Sequence, residues 1–161
     1  MTEDYLFTIA EIAVALIGFS GIVTVLGRRA KGDWKHEERV RLLALTEPSA
    51  IALSGSLLAA TLLIVLPNDN LLWRISNGAV LALHLLAFTA YVKRSKNVEQ
   101  LLSQKLMTVV AVLIFIALAG SVLNVNPYHE MTFALGVLLG IAVGVFNFTL
   151  LLFRIDSAND N

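Results

Sequence analysis

The chain has 161 residues, 57% of them apolar and 15% charged, and its 12 Lys and Arg balance its 12 Asp and Glu. That apolar share is above the roughly 45–50% of soluble globular domains, and the zero net charge leaves no basic surface for nucleic acid. With no cysteine there is no disulfide framework, no thiolate nucleophile and no Cys-based zinc or iron–sulfur site.

Five apolar segments, about 5–27, 42–66, 71–92, 106–125 and 131–153, take up most of the length. Each is close to the roughly 20 residues a helix needs to cross a hydrocarbon core. Inside lipid a helix satisfies its own backbone hydrogen bonds without water. The expected fold is an all-α, polytopic transmembrane bundle of five spans over residues 1–154, followed by a short polar tail, 155–161.

The N-terminus is acidic, with Glu3 and Asp4 behind Thr2, where a cleavable signal would carry a basic stretch. Thr2 is a candidate helix cap with acids in the first turn, so span 1 is predicted to start at or before Tyr5 and to stay on the chain. Glu11 lies two turns inside it. A carboxylate at the centre of a lipid-embedded helix costs roughly 2.5–3.5 kcal/mol by insertion scales, less near an end, so Glu11 is expected to face protein or water. It shares a helix face with Asp4, Thr8, Ala15 and Gly18, small enough on one flank for a neighbouring helix to come close. Two readings follow for Glu11: a proton or cation site, or a structural ion pair with Arg74.

The first connector holds Arg28, Arg29, Lys31, Lys35, Arg39 and Arg41, and its stretch Gly32 to Arg41 reads as a short interfacial helix running into span 2. Pro48 has no amide hydrogen and disfavours helical geometry at Glu47. Span 2 therefore either kinks at Pro48 or begins there; the second case, which we favour, makes Glu47 interfacial. Along span 2, Ser49, Ala52, Ser56 and Ala60 form a small-residue side suited to packing. Pro67-Asn68-Asp69-Asn70 is a strong turn signal, which makes spans 2 and 3 antiparallel neighbours.

Span 3 carries a stripe at steps of three and four: Arg74, Asn77, Leu81, His84, Phe88 and Tyr91. His84 near the middle titrates around pH 6.5 in water, so it is read either as a proton relay or as a neutral hydrogen-bonding group. His36 and His129 fall at opposite membrane faces and neither can sit across from His84, so haem ligation is not expected. Span 4 is nearly free of polar groups before its outer end, Asn124 to Pro127, and should be the most lipid-exposed. Span 5 places Gly136, Gly140, Gly144 and Asn147 on one face. This small-xxx-small surface is either a homo-oligomer interface or packing within the chain.

All the Lys and Arg except Arg74 lie in or beside the first and third connectors or after span 5. The positive-inside rule puts those segments in the cytoplasm, so the topology is N-out and C-in. No P-loop, dinucleotide fingerprint, G-x-S-x-G elbow or H-E-x-x-H occurs, and no enzyme activity, metal or cofactor is expected.

The run Ile9 to Val23, followed by Arg28-Arg29, Trp34, Glu38 and Arg41-Leu42, with Trp73-Arg74 and Ser76 beyond, resembles the opening of a family of small bacterial inner-membrane proteins of unknown function. The likeness covers about the first half of the chain and is most specific over Glu11 to Gly21. It implies a bacterial inner-membrane, multi-pass protein and supplies no activity.

Two functions are expected from these residues. In one, a homo-oligomer provides an ion or proton pathway lined by Glu11, Arg74, Asn77 and His84. In the other, the same groups lock helices in a non-conducting interaction or sensor subunit, and the basic connectors meet anionic lipid or a cytoplasmic partner.

Overall fold

The computed structural model describes residues 3–26, 36–66, 70–96 and 102–157, with side chains placed for 3–22, 36–66, 70–96 and 102–151. The described residues form five α-helices: α1 (Glu3–Leu26), α2 (His36–Val65), α3 (Asn70–Arg94), α4 (Leu102–Val122) and α5 (His129–Ser157). Each is long and apolar enough to cross a membrane. The expected Thr2 cap, the connector residues Arg28 to Lys35, the turn Pro67 to Asp69 and the tail beyond Ser157 lie outside the described residues.

Every helix begins before its apolar segment because polar residues at that end continue the backbone pattern without adding hydropathy. The case of α2 corrects the expectation: the helix does not begin at Pro48 but runs unbroken from His36 through it. Its 30 residues span about 45 Å at 1.5 Å per residue, longer than a hydrocarbon core of about 30 Å. The stretch expected to be an interfacial helix is, from His36 to Arg41, the first part of α2 itself. There Glu37 accepts a 2.7 Å bond from Arg41, one turn along.

α2 and α5 pack along each other at the centre, α1 lies mainly against α2, α3 lies on both central helices, and α4 fills the groove between α3 and α5. The centre is built on small residues. A Cβ on Gly140 would lie 2.5 Å from the Pro48 carbonyl oxygen, and one on Gly144 would lie 2.5 Å from Ser49 Oγ. Backbones approach this closely only where side chains are missing. Ser49, Ala52, Ser56 and Ala60 are buried, as expected of a packing face. The face carrying Gly136, Gly140 and Gly144 is thus filled by this chain's own α2, with Val80 and Leu118 closing on Gly136.

The main core cluster joins Leu6, Ile9 and Ala13 of α1 to Ala59, Leu72, Trp73, Val80, Leu118, Phe133 and Val137. Helix α4 buries only Gln104, Ala111, Leu118 and Ser121, which leaves most of its surface outward. Exposed Leu, Ile, Val and Phe side chains cover the bundle from Phe7 to Val145. A surface this apolar is suited to lipid.

The link between α4 and α5 is fixed by its own hydrogen bonds. Asn124 has φ of 61°, the left-handed conformation that Asn tolerates. Val125 N–H donates to Gly120 O at 2.9 Å and Asn124 N–H to Ser121 O at 3.0 Å, closing α4 with a Schellman motif. Asn126 Oδ1 then accepts from Tyr128 N–H at 2.9 Å and its Nδ2 donates to Thr132 Oγ1 at 2.9 Å. This turn brings Ser121 and His129 side by side.

Candidate functional site

The polar stripe on α3 divides into two parts. At the end where α3 begins, Asn77 Nδ2 donates to Ser121 Oγ at 2.7 Å and to His129 O at 2.9 Å. Ser121 Oγ lies 2.8 Å from His129 Nδ1. Arg74 Nε donates to Val122 O at 3.1 Å, satisfying a carbonyl in the last turn of α4. Asn77, Ser121 and His129 are all buried. They form a clamp that ties α3, α4 and α5 together. Beside it Trp73 packs on Phe133 with ring centroids 5.5 Å apart.

Toward the other end of α3, His84 is buried and its Nε2 lies 3.1 Å from the Gly136 carbonyl. A carbonyl only accepts, so Nε2 carries the hydrogen and Nδ1 is the acceptor of the neutral ring. His84 stands at the inner end of a cavity of about 100 Å³ between α2, α3, α4 and α5. Glu47, Tyr91, Gln104, Thr108 and Asn147 are its other polar residues, and the rest of its wall includes Pro48, Phe88, Met107, Ala111, Phe115 and Phe146.

The wall is fixed by pairs between helices. Arg94 Nη1 and Nη2 donate to the two oxygens of Glu47 at 2.8 and 2.5 Å, and His36 Nε2 donates to Arg94 O at 3.0 Å. Asn147 Nδ2 donates to Val143 O at 2.9 Å and reaches Ala44 O on α2 at 3.5 Å.

No family model, curated protein or solved structure matches this chain. The geometry therefore carries the functional argument.

Between the clamp and the cavity the interior is apolar. Val80, Leu118, Phe133 and Val137 are fully buried there, and Val80 presses so closely on Gly55 that a Cβ at that glycine would lie 2.7 Å from its methyl. The stripe from Arg74 to His84 lies on one inward face of α3, as its spacing predicts, with these apolar side chains packed between its two polar parts.

Glu11 stands apart. It is exposed on the outer side of α1 with Asp4, Thr8, Ala15 and Gly18, also exposed. A Cβ on Gly18 or Gly21 would meet none of the described residues within 4 Å. The ion pair considered for Glu11 with Arg74 is not formed, because α1 lies against α2 and α5 and Arg74 turns to α4. Of the expected site residues, Arg74 and Asn77 therefore join the clamp, His84 and Asn147 meet at the cavity, the three glycines of α5 pack inside the chain, and Glu11 and Gly18 face outward.

Sequence reasoning missed Ser121, His129, the Glu47–Arg94 pair and the aromatic wall. A lone Ser in the apolar last turn of α4 signals Ser121, but only the turn geometry brings it to His129. Among the described residues, no group of three or more His, Asp or Glu side chains is placed to share a metal ion.

Proposed function

We propose that the protein is a multi-pass component of a bacterial inner membrane, N-out and C-in, that assembles as a homo-oligomer and passes protons or small cations along subunit contacts at Glu11. The observation that carries this reading is the outward-facing Glu11, about 12 Å along α1 from Glu3 at 1.5 Å per residue. A carboxylate at that depth against lipid is costly. A second copy laid on Thr8, Glu11, Ala15 and Gly18 covers it without steric obstruction from the described residues, none of which comes within 4 Å of a Cβ at Gly18. The apolar packing inside the bundle favours a route between subunits over one through a single chain.

The test is reconstitution of the purified protein in liposomes with subunit counting by native mass spectrometry. An oligomer that conducts, and that loses most of its flux on Glu11→Gln while keeping its subunit number, is the expected result. Flux equal to that of empty liposomes overturns the pathway.

A second reading, a non-conducting interaction or sensor subunit, is favoured by the Asn77–Ser121–His129 clamp, whose bonds hold helices together. On that reading Glu11→Gln changes assembly and there is no flux to lose. The exposed Lys93 and Lys96 at the end of α3 would then face anionic lipid or a cytoplasmic partner.

A further inference from the structure

We infer that the cavity beside His84 is a binding site for a small neutral aromatic molecule bearing one hydrogen-bond donor, such as a phenol. The volume of about 100 Å³ limits the guest to a single small ring, since an engineered, apolar cavity that takes up benzene measures about 150 Å³.

The wall is aromatic where the guest would lie. His84 and Phe115 stack at 5.6 Å with their planes tilted by 33°, and Phe88 meets Phe115 edge-on at 6.0 Å. Offset and edge-on ring contacts of this kind add to the energy of apolar burial. The charge at the mouth is neutralised, because both oxygens of Glu47 are engaged by Arg94. A neutral guest therefore fits better than an ion.

The hydrogen-bonding inventory favours a guest that donates. The ring hydrogen of His84 is spent on Gly136 O, the hydroxyl hydrogen of Thr108 on Gln104 O, and both amide hydrogens of Asn147 on Val143 O and Ala44 O. His84 Nδ1, Thr108 Oγ1 and Asn147 Oδ1 thus offer only lone pairs, and the Tyr91 hydroxyl on the same wall can accept as well as donate. A site with acceptors waiting rejects an analogue that lacks the donor, because the acceptor is then left buried and unpaired.

The experiment is fluorine NMR of the full chain in lipid nanodiscs with 4-fluorophenol and 4-fluoroanisole, which share the ring but differ in the hydroxyl hydrogen. Empty nanodiscs supply the baseline for partition into lipid. The expected result is saturable binding of 4-fluorophenol at least about 10-fold tighter than that of 4-fluoroanisole, with the difference removed by His84→Leu. Filling the cavity by Ala111→Phe should abolish saturable binding of both. Should that variant not fold, as judged by helical circular dichroism, Ala87→Leu on the opposite wall replaces it. Absence of a saturable component, equal binding of the two probes, or binding that survives the filled cavity each overturns the proposal.

Discussion

Asn147 offers Ala44 the hydrogen bond that Pro48 cannot. In an unbroken helix the Ala44 carbonyl accepts from the amide four residues on, and that residue is Pro48, which has no hydrogen to give. Asn147 Nδ2 on α5 reaches this carbonyl at 3.5 Å, and α2 continues through the proline. The close approach that allows it comes from Gly140 and Gly144, which bring α5 onto Pro48 and Ser49.

This relationship predicts a coupled pair. Asn147→Leu should destabilise the protein by about 1 kcal/mol, the scale of a hydrogen bond between helices in a membrane. In a Pro48→Ala background, where the backbone supplies its own donor, the same change should cost measurably less. Unfolding in mixed detergent and SDS, arranged as a double-mutant cycle, reads the coupling. Equal costs in both backgrounds would show that Asn147 does not serve the proline gap.

The glycines predict opposite outcomes by position. Gly140→Ala drives a methyl onto backbone, the Pro48 carbonyl, which cannot swing away; overpacking of that kind costs typically about 1–3 kcal/mol. Gly18→Ala meets none of the described residues within 4 Å, so the single chain should gain up to about 1 kcal/mol of helix propensity. Thermal unfolding at protein dilutions that keep the chain monomeric should show the first loss and the second gain. Loss of subunit association in Gly18→Ala, with the monomer unharmed, would place that face in the oligomer contact.

The five spans were legible because an apolar run of membrane length leaves few alternatives, and the inward stripe from Arg74 to Tyr91 was legible because helical spacing is local. Partner choice was not. Nothing in the order of residues says that Arg74 turns to Val122 rather than Glu11, since that depends on which helix lies beside α3. Pro48 misled for a related reason: its local preference for a helix start gives way to tertiary support from α5, which sequence proximity does not reveal. The cavity was hidden because its wall draws on four helices, and its Phe and Met side chains read as ordinary core. The outward position of Glu11 opposed the expectation of a partner inside the chain, and only the packing of α1 on α2 decided it.

The clamp predicts non-additive losses. Ser121→Ala removes the acceptor of Asn77 and the neighbour of His129 Nδ1 together, while Asn77→Leu removes the bonds to Ser121 Oγ and His129 O. Each should cost about 1–2 kcal/mol, and the double variant should cost clearly less than the two combined, because both break the same contact. Detergent unfolding monitored by Trp73 fluorescence is suited to the measurement, since Trp73 lies against Phe133 beside the clamp. Strict additivity would mean that the two side chains act separately.

The Glu47–Arg94 pair predicts a reversible electrostatic effect of modest size. Arg94 and Glu47 keep 27% and 32% of their side-chain surface exposed, so solvent screens the pair, and its worth should be at or below about 1 kcal/mol despite the two parallel bonds. Glu47→Lys places two cations together and should lower stability by about that amount. Adding Arg94→Glu should recover much of the loss, and added salt should shrink the difference between the single and double variants. Because this pair joins α2 to the end of α3 at the mouth of the cavity, the charge-reversed double variant should also retain binding of 4-fluorophenol, whereas Glu47→Lys alone should weaken it. An unchanged stability in Glu47→Lys, at low salt and by detergent unfolding, would mean that the two side chains do not meet in the folded protein.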